Sequence, residues 1–202
     1  MTLGATSSVG SVSLTDPPAE PSTVRGRIAA QNLVALRQGV ELCRRLGPAR
    51  YASVSPHLAH SGVGGHLRHV HDYYRCFLMG LGAGRVDYDN RERDVRFETD
   101  LDYAIAGVQL TLERLERLDP GAGDLVLEVK MDAEPGEAEG AIWSRSTLRR
   151  ELRFLLSHTI HHYALIRLLL AAEGVECDES FGVAPSTLEH WRHEPRCAPS
   201  PG

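Results

Sequence analysis

Apolar residues recur at helical spacing in four stretches of this 202-residue chain. Ile28, Leu33, Leu36, Val40 and Cys43 form the first stripe. Ser22 or Thr23 can cap it and Gly47-Pro48 stops it. The second stripe is Val63, Leu67, Val70, Tyr74, Phe77 and Leu81, capped by Ser61 and ended by Gly80, Gly82 and Gly84. A third runs from Thr99 or Asp100 to Leu118, with Leu101, Ala104, Ile105, Val108, Leu112 and Leu115 inward. The fourth starts near Ser146 or Thr147 and ends at Gly174, turning Leu148, Leu152, Leu155, His162, Ile166 and Leu169 inward. Between the third and fourth, Leu125 to Met131 alternates and reads as a short strand, with Gly140 to Ser144 as its returning partner. Gly84 to Phe97 is polar and reads as a solvated connector, and Tyr51 to His60 as a loop. The pattern predicts an all-α four-helix bundle over residues 23–190, with at most one small β-hairpin between helices three and four. Residues 1–22 are rich in Ser, Thr, Gly and Pro and read as disordered; 191–202 read as a tail.

Two histidine clusters interrupt this apolar logic. The fourth helix carries Ser157-His158-Thr159-Ile160-His161-His162-Tyr163, and the second carries His66-Leu67-Arg68-His69-Val70-His71-Asp72. His158 and His162 are i and i+4, so both imidazoles share one helix face about one turn apart. Two neutral imidazoles so placed can share a metal at about 2.0–2.1 Å each. A third ligand must then come from the other cluster, through the tertiary fold. The spacing does not make a zinc-protease motif, because Thr159 stands where the general-base Glu would be. By angular position His66 lies nearer the centre of the second helix's apolar arc, whereas His69 lies at its edge, where a ligand would face an open cavity. His161 points about 100° from His162 and reads as structural or interfacial. Asp72 could orient an imidazole or be solvated. Cys76 lies roughly 10 Å along the axis from His69, too far to share a ligand, and reads as a small core residue.

Composition narrows the classes. The net charge of −5 and pI near 6.0 argue against a nucleic-acid footprint. Lys130 is the sole lysine, so the arginine excess reflects residue usage rather than an anion patch. Cys43, Cys76, Cys177 and Cys197 form no C-x-x-C pair and suit a reducing compartment. No secretory leader pattern and no membrane-spanning apolar run is visible, so a cytoplasmic protein is the expectation.

His69-Val70-His71-Asp72 on the second helix, with His158 to His162 on the fourth, resembles the DinB-like superfamily over roughly residues 25–190. Ser61–Asp72, the Asp87-Tyr88-Asp89…Arg91…Arg93 run and Phe181–Thr187 are similar to an uncharacterised bacterial branch of it. The resemblance implies a four-helix bundle, a homodimer, and a divalent metal on three histidines. It places the third ligand at His69, making the expected set His69, His158 and His162. His66 is then an alternate ligand or a group beside the site, as is Asp72. Zinc is the first expectation, with nickel or iron as alternatives, since three imidazoles suit all of them. The implied chemistry is that of a metal-dependent enzyme such as a thiol-dependent S-transferase or hydrolase. It would act on a small molecule with a low-molecular-weight thiol as cosubstrate, and His66 or Tyr73 could move protons. The alternative is a non-catalytic, metal-stabilised stress-linked or interaction protein. Metal affinity is expected to fall as pH drops through the histidine range near ~6.5.

Overall fold

The computed structural model describes residues 24–54, 62–118, 124–131 and 143–193. Most of these residues are helical. The elements are α1 (Val24–Tyr51), α2 (Val63–Gly80), β1 (Arg85–Asp87), α3 (Arg96–Thr99), α4 (Leu101–Glu116), β2 (Val126–Lys130), β3 (Ser144–Thr147), α5 (Leu148–Ala172) and α6 (Pro185–His193). The expected caps at Ser22 or Thr23 and at Ser61, residues 55–60 of the expected loop, residues 140–142 of the expected returning strand, residues 1–22 and residues 194–202 of the tail lie outside the described residues.

Local chemistry explains the boundaries. Gly47 takes φ 71° and ψ 171°, which an L side chain rarely adopts, so α1 kinks there and only one further turn follows to Tyr51. Asp100 caps α4 by accepting from the Tyr103 amide at 3.0 Å, and Thr147 caps α5 by accepting from the Arg150 amide at 3.3 Å. Gly62 stands at the N-cap of α2 and gives no side-chain bond. At Gly64 a Cβ would come within 2.0 Å of the Glu98 carbonyl oxygen, so the start of α2 can approach α3 only as glycine.

The helices pack as the four stripes require: α1 and α2 each contact both α4 and α5, and also meet one another. Leu36, Val40, Leu67, Val70, Phe77, Leu115, Leu152, Leu155, Ile166 and Leu169 are buried between them. Burying each such side chain stabilises the fold by roughly 1.5–3 kcal/mol. Polar groups in this core are paired. The Asn32 amide donates to the Ile28 and Leu152 carbonyls at 2.8 and 3.0 Å, and Tyr74 donates to Asn32 Oδ1 at 2.7 Å. Thr159 Oγ1 lies 3.1 Å from the Tyr74 hydroxyl and donates to the Leu155 carbonyl at 2.7 Å. This chain of contacts joins α1, α2 and α5.

Three expectations are corrected. The expected antiparallel pair is present as β2 and β3, but among the described residues the sheet has a third strand, β1, parallel to β2, in the order β1-β2-β3. The returning strand is Ser144–Thr147, beginning where residues 140–144 were expected to end. The connector after α2 is anchored, because Val86 and Tyr88 are fully buried. The Tyr88 amide donates to the Lys130 carbonyl at 2.9 Å, and its hydroxyl donates to Glu151 Oε2 at 2.8 Å. Glu151 is itself fully buried, bonded also to Ser146 Oγ and, at 2.8 Å, to Arg150 Nη1. A charge so placed needs each of these partners. Beyond Gly174, Phe181 stacks on Tyr163 at 4.5 Å and α6 follows.

Leu155→Ala is expected to lower unfolding free energy by about 2–5 kcal/mol in urea titration, because the position is fully buried. Leu168→Ala, at a position 66% exposed, is expected to stay within about 0.5 kcal/mol.

Candidate metal centre

The packing of α2 on α5 brings the two histidine clusters together. His69, His158 and His162 each offer one candidate ligand atom, and these atoms all lie within 4.8 Å of one another. The ring centroids are 5.0 Å apart for His69–His158 and 4.6 Å for both His69–His162 and His158–His162. A metal holding all three nitrogens at about 2.0–2.1 Å would place them at most about 4.2 Å from one another. All three side chains are half-buried.

His66 stands beside this group. Its Nδ1 is 3.0 Å from Nδ1 of His162. If His162 donates in that contact, its Nε2 carries the lone pair and is free to ligate, as the partner of a metal-bound imidazole usually arranges. A cavity of about 460 Å³ opens next to the rings, with His66, His69, His162, Arg68 and Glu98 in its wall. His161 is exposed, its ring 5.2 Å from that of His162. Asp72 orients no imidazole and is not solvated. It is buried and bound by Arg68 Nη1 at 2.6 Å, while Arg68 Nε holds Glu98 at 2.5 Å. Burial raises the Asp72 pKa, against the lowering influence of Arg68. Cys76 is half-buried at the core's edge, its Sγ 3.7 Å from the Asn90 carbonyl.

The electrostatics favour neutral imidazoles. Burial first, then the neighbouring His158, Arg91 and Arg68, pushes His69 down to about 4. Burial, His161 and Arg91 push His158 down to about 4, and burial with the surrounding histidines pushes His162 down to about 3. His66 is lowered by burial and His161. Neutral nitrogen is what a metal requires. The proton competition expected near ~6.5 therefore moves to lower pH.

Arg91 was not legible in the sequence as a neighbour of these histidines, whereas Tyr73 was expected beside them as a proton carrier. Tyr73 forms a wall, its ring 4.2 Å from His158 and 5.1 Å from His69. Arg91, from the connector, places its guanidinium carbon 4.7 Å from the Tyr73 ring centroid. The connector's polarity masks Arg91; only the buried Tyr88 three residues earlier hints that this segment turns inward. Among the described residues, two buried side-chain polar atoms find no hydrogen-bond partner: His158 Nε2 and Arg91 Nη1. An imidazole nitrogen left without a partner inside a three-histidine group is an atom whose bonding a metal would complete, were it the unprotonated one.

No family model and no solved structure matches the chain. Over 108 residues it is 33% identical to FK506-binding protein 5 of Rhizopus delemar, a stretch covering 52% of this chain. That stretch spans 27% of the fungal protein, about a quarter of its length.

The metal-free protein should lose stability in acid. In the unfolded chain these imidazoles take up protons near ~6.5, but in the fold only near 4 for His69 and His158 and near 3 for His162. Between those limits the unfolded state binds more protons, so this contribution is complete above ~6.5 and falls away as pH drops toward 4. The thermal midpoint of metal-free protein should fall across that window. An unchanged midpoint from pH 7 to pH 4.5 would contradict it.

Proposed function

We propose that the chain is a DinB-like four-helix bundle in which His69, His158 and His162 hold one divalent metal, zinc before nickel or iron. The observation that carries this reading is the convergence of three neutral imidazoles from α2 and α5, one of them with a buried, unpartnered Nε2. The mutual packing of α1, α2, α4 and α5 supports the bundle. Three protein ligands and the adjoining cavity favour an open site over a structural staple, which usually has four ligands. When bound, such a metal acidifies a water or thiol and polarises an electrophile.

The chain's own groups complete the arrangement. His66 fixes the ring of His162 through the Nδ1 contact and lines the cavity, where a substrate proton could reach it. The Tyr73 ring closes the opposite side and keeps water from the back of His158. The reaction this supports is metal-dependent transfer or hydrolysis on a small molecule, with a low-molecular-weight thiol as cosubstrate. No described helix is long and apolar enough to cross a membrane. We read the protein as cytoplasmic and homodimeric. Val34 on α1 and Leu110 on α4, 54% and 57% exposed, are apolar positions a partner copy would cover.

Elemental analysis of the purified protein should find one metal per chain. His162→Ala should abolish most of the occupancy, while His161→Ala should leave it near the parent level. His66→Ala should keep the metal. Equal metal content in the parent and in variants of all three proposed ligands would refute the site. Sedimentation at micromolar concentration should show a dimer, and a monomer alone would count against that part.

A further inference from the structure

Three polar side chains in the helical core are fully buried: Asn32 on α1, Tyr74 on α2 and Thr159 on α5. Tyr74 donates to Asn32 Oδ1 at 2.7 Å. Thr159 shares its proton between the Tyr74 hydroxyl at 3.1 Å and the Leu155 carbonyl at 2.7 Å. The Asn32 amide reaches across to the Leu152 carbonyl of α5 at 3.0 Å. Helix α1 thus holds both helices that bear the histidine group, although none of the three candidate ligands is on it.

Stability alone does not account for this cluster. Buried hydrogen bonds add little net stability over apolar groups of the same shape, because each polar group must first leave water. Leu, Phe and Val would fill nearly the same space. What the hydrogen bonds add is direction, since they weaken steeply once the donor angle or distance departs from its optimum.

The candidate metal centre needs direction. His69 projects from α2, and His158 and His162 from α5, with Thr159 next to His158. A side-chain atom stands about 5–6 Å from its helix axis, so turning either helix by ~10° moves it by roughly 1 Å. A metal fixes its ligand distances to within about 0.2 Å. Apolar stripes leave that rotation soft, and a relay bonded across three helices does not.

We propose that Asn32, Tyr74 and Thr159 are positioning residues of the metal centre, which fix the rotation of α2 against α5 rather than hold the fold together. This rests on the metal-site reading above. The three side chains touch neither metal nor substrate and act through the helices that carry the imidazoles. Their loss should therefore register in the affinity and geometry of the centre before it registers in folding.

The test titrates the full chain with cobalt(II), read by its visible absorption, with urea unfolding of the metal-free protein measured in parallel. Thr159→Val keeps the side-chain shape, removes the hydroxyl and leaves Tyr74 its bond to Asn32. It should unfold near the parent midpoint, bind cobalt at least about tenfold more weakly and shift the visible bands, as loss of a ligand-orienting contact does. Thr159→Ser keeps the hydroxyl and should retain the parent affinity and bands. Asn32→Leu/Tyr74→Phe/Thr159→Val removes the whole relay and should bind cobalt no better than Thr159→Val. Leu115→Ala, in the core on α4, a helix with neither relay nor ligand, should lower the unfolding midpoint yet keep the parent bands. Parent affinity and bands in both Thr159→Val and the triple variant overturn the proposal while leaving the metal reading intact. Failure of the triple variant to fold also overturns it, because the relay would then be holding the fold. A parent that takes up no cobalt removes the metal reading and this proposal with it.

Discussion

The contact between α2 and α5 is the constraint on which the rest depends. It is fixed by a buried polar relay, Asn32 to Tyr74 to Thr159, set among leucines and aromatics. Tyr74 is fully buried and gives its hydroxyl an acceptor; without one the buried group would cost about 1–3 kcal/mol. Apolar stripes alone tolerate small rotations of a helix about its axis. Hydrogen bonds between named atoms tolerate far less. Thr159 follows His158 directly, and Tyr74 lies on the same helix five residues after His69, so the relay that orders the core also sets the rotation of both helices that carry the imidazoles.

The same burial sets the chemistry. Imidazoles removed from water on a rigid helix pair prefer the neutral form, and the nearby positive charge of Arg91 strengthens that preference. A site of this kind is tuned against protons by its surroundings before any ligand arrives. The same depression makes the fold lose stability in acid and keeps these nitrogens unprotonated at neutral pH.

A second buried centre, Glu151 with Tyr88, Ser146 and Arg150, does for the connector what the first does for the helices. It ties a polar loop to α5 and turns Arg91 inward. The three-stranded sheet is part of the same clamp, since β1 borrows the edge of β2 and leaves the segment after it no freedom to drift outward. The sheet is small, yet it decides which loop stands over the histidines.

The four long helices were legible because each carries a 3.6-residue apolar period bounded by Gly, Pro or a capping side chain; Asp100 and Thr147 act as such caps. The i, i+4 pair His158 and His162 was legible for the same reason, since helix geometry alone puts the two rings on one face. Periodicity put His66 nearer the centre of the apolar arc and His69 about 60° away at its edge, and could not say which would meet the other pair. The rotation of α2 against α5 set His69 in the group and His66 beside it. Nor could it find Arg91, β1 or the partners of Asp72. A parallel strand pair, a buried ion pair and a guanidinium turned inward are contacts between distant segments, and local pattern carries no term for them. The sequence by itself determined which faces are apolar and which side chains could ligate; the tertiary structure decided which of them meet, because that depends on the register of whole helices fixed by a few buried hydrogen bonds.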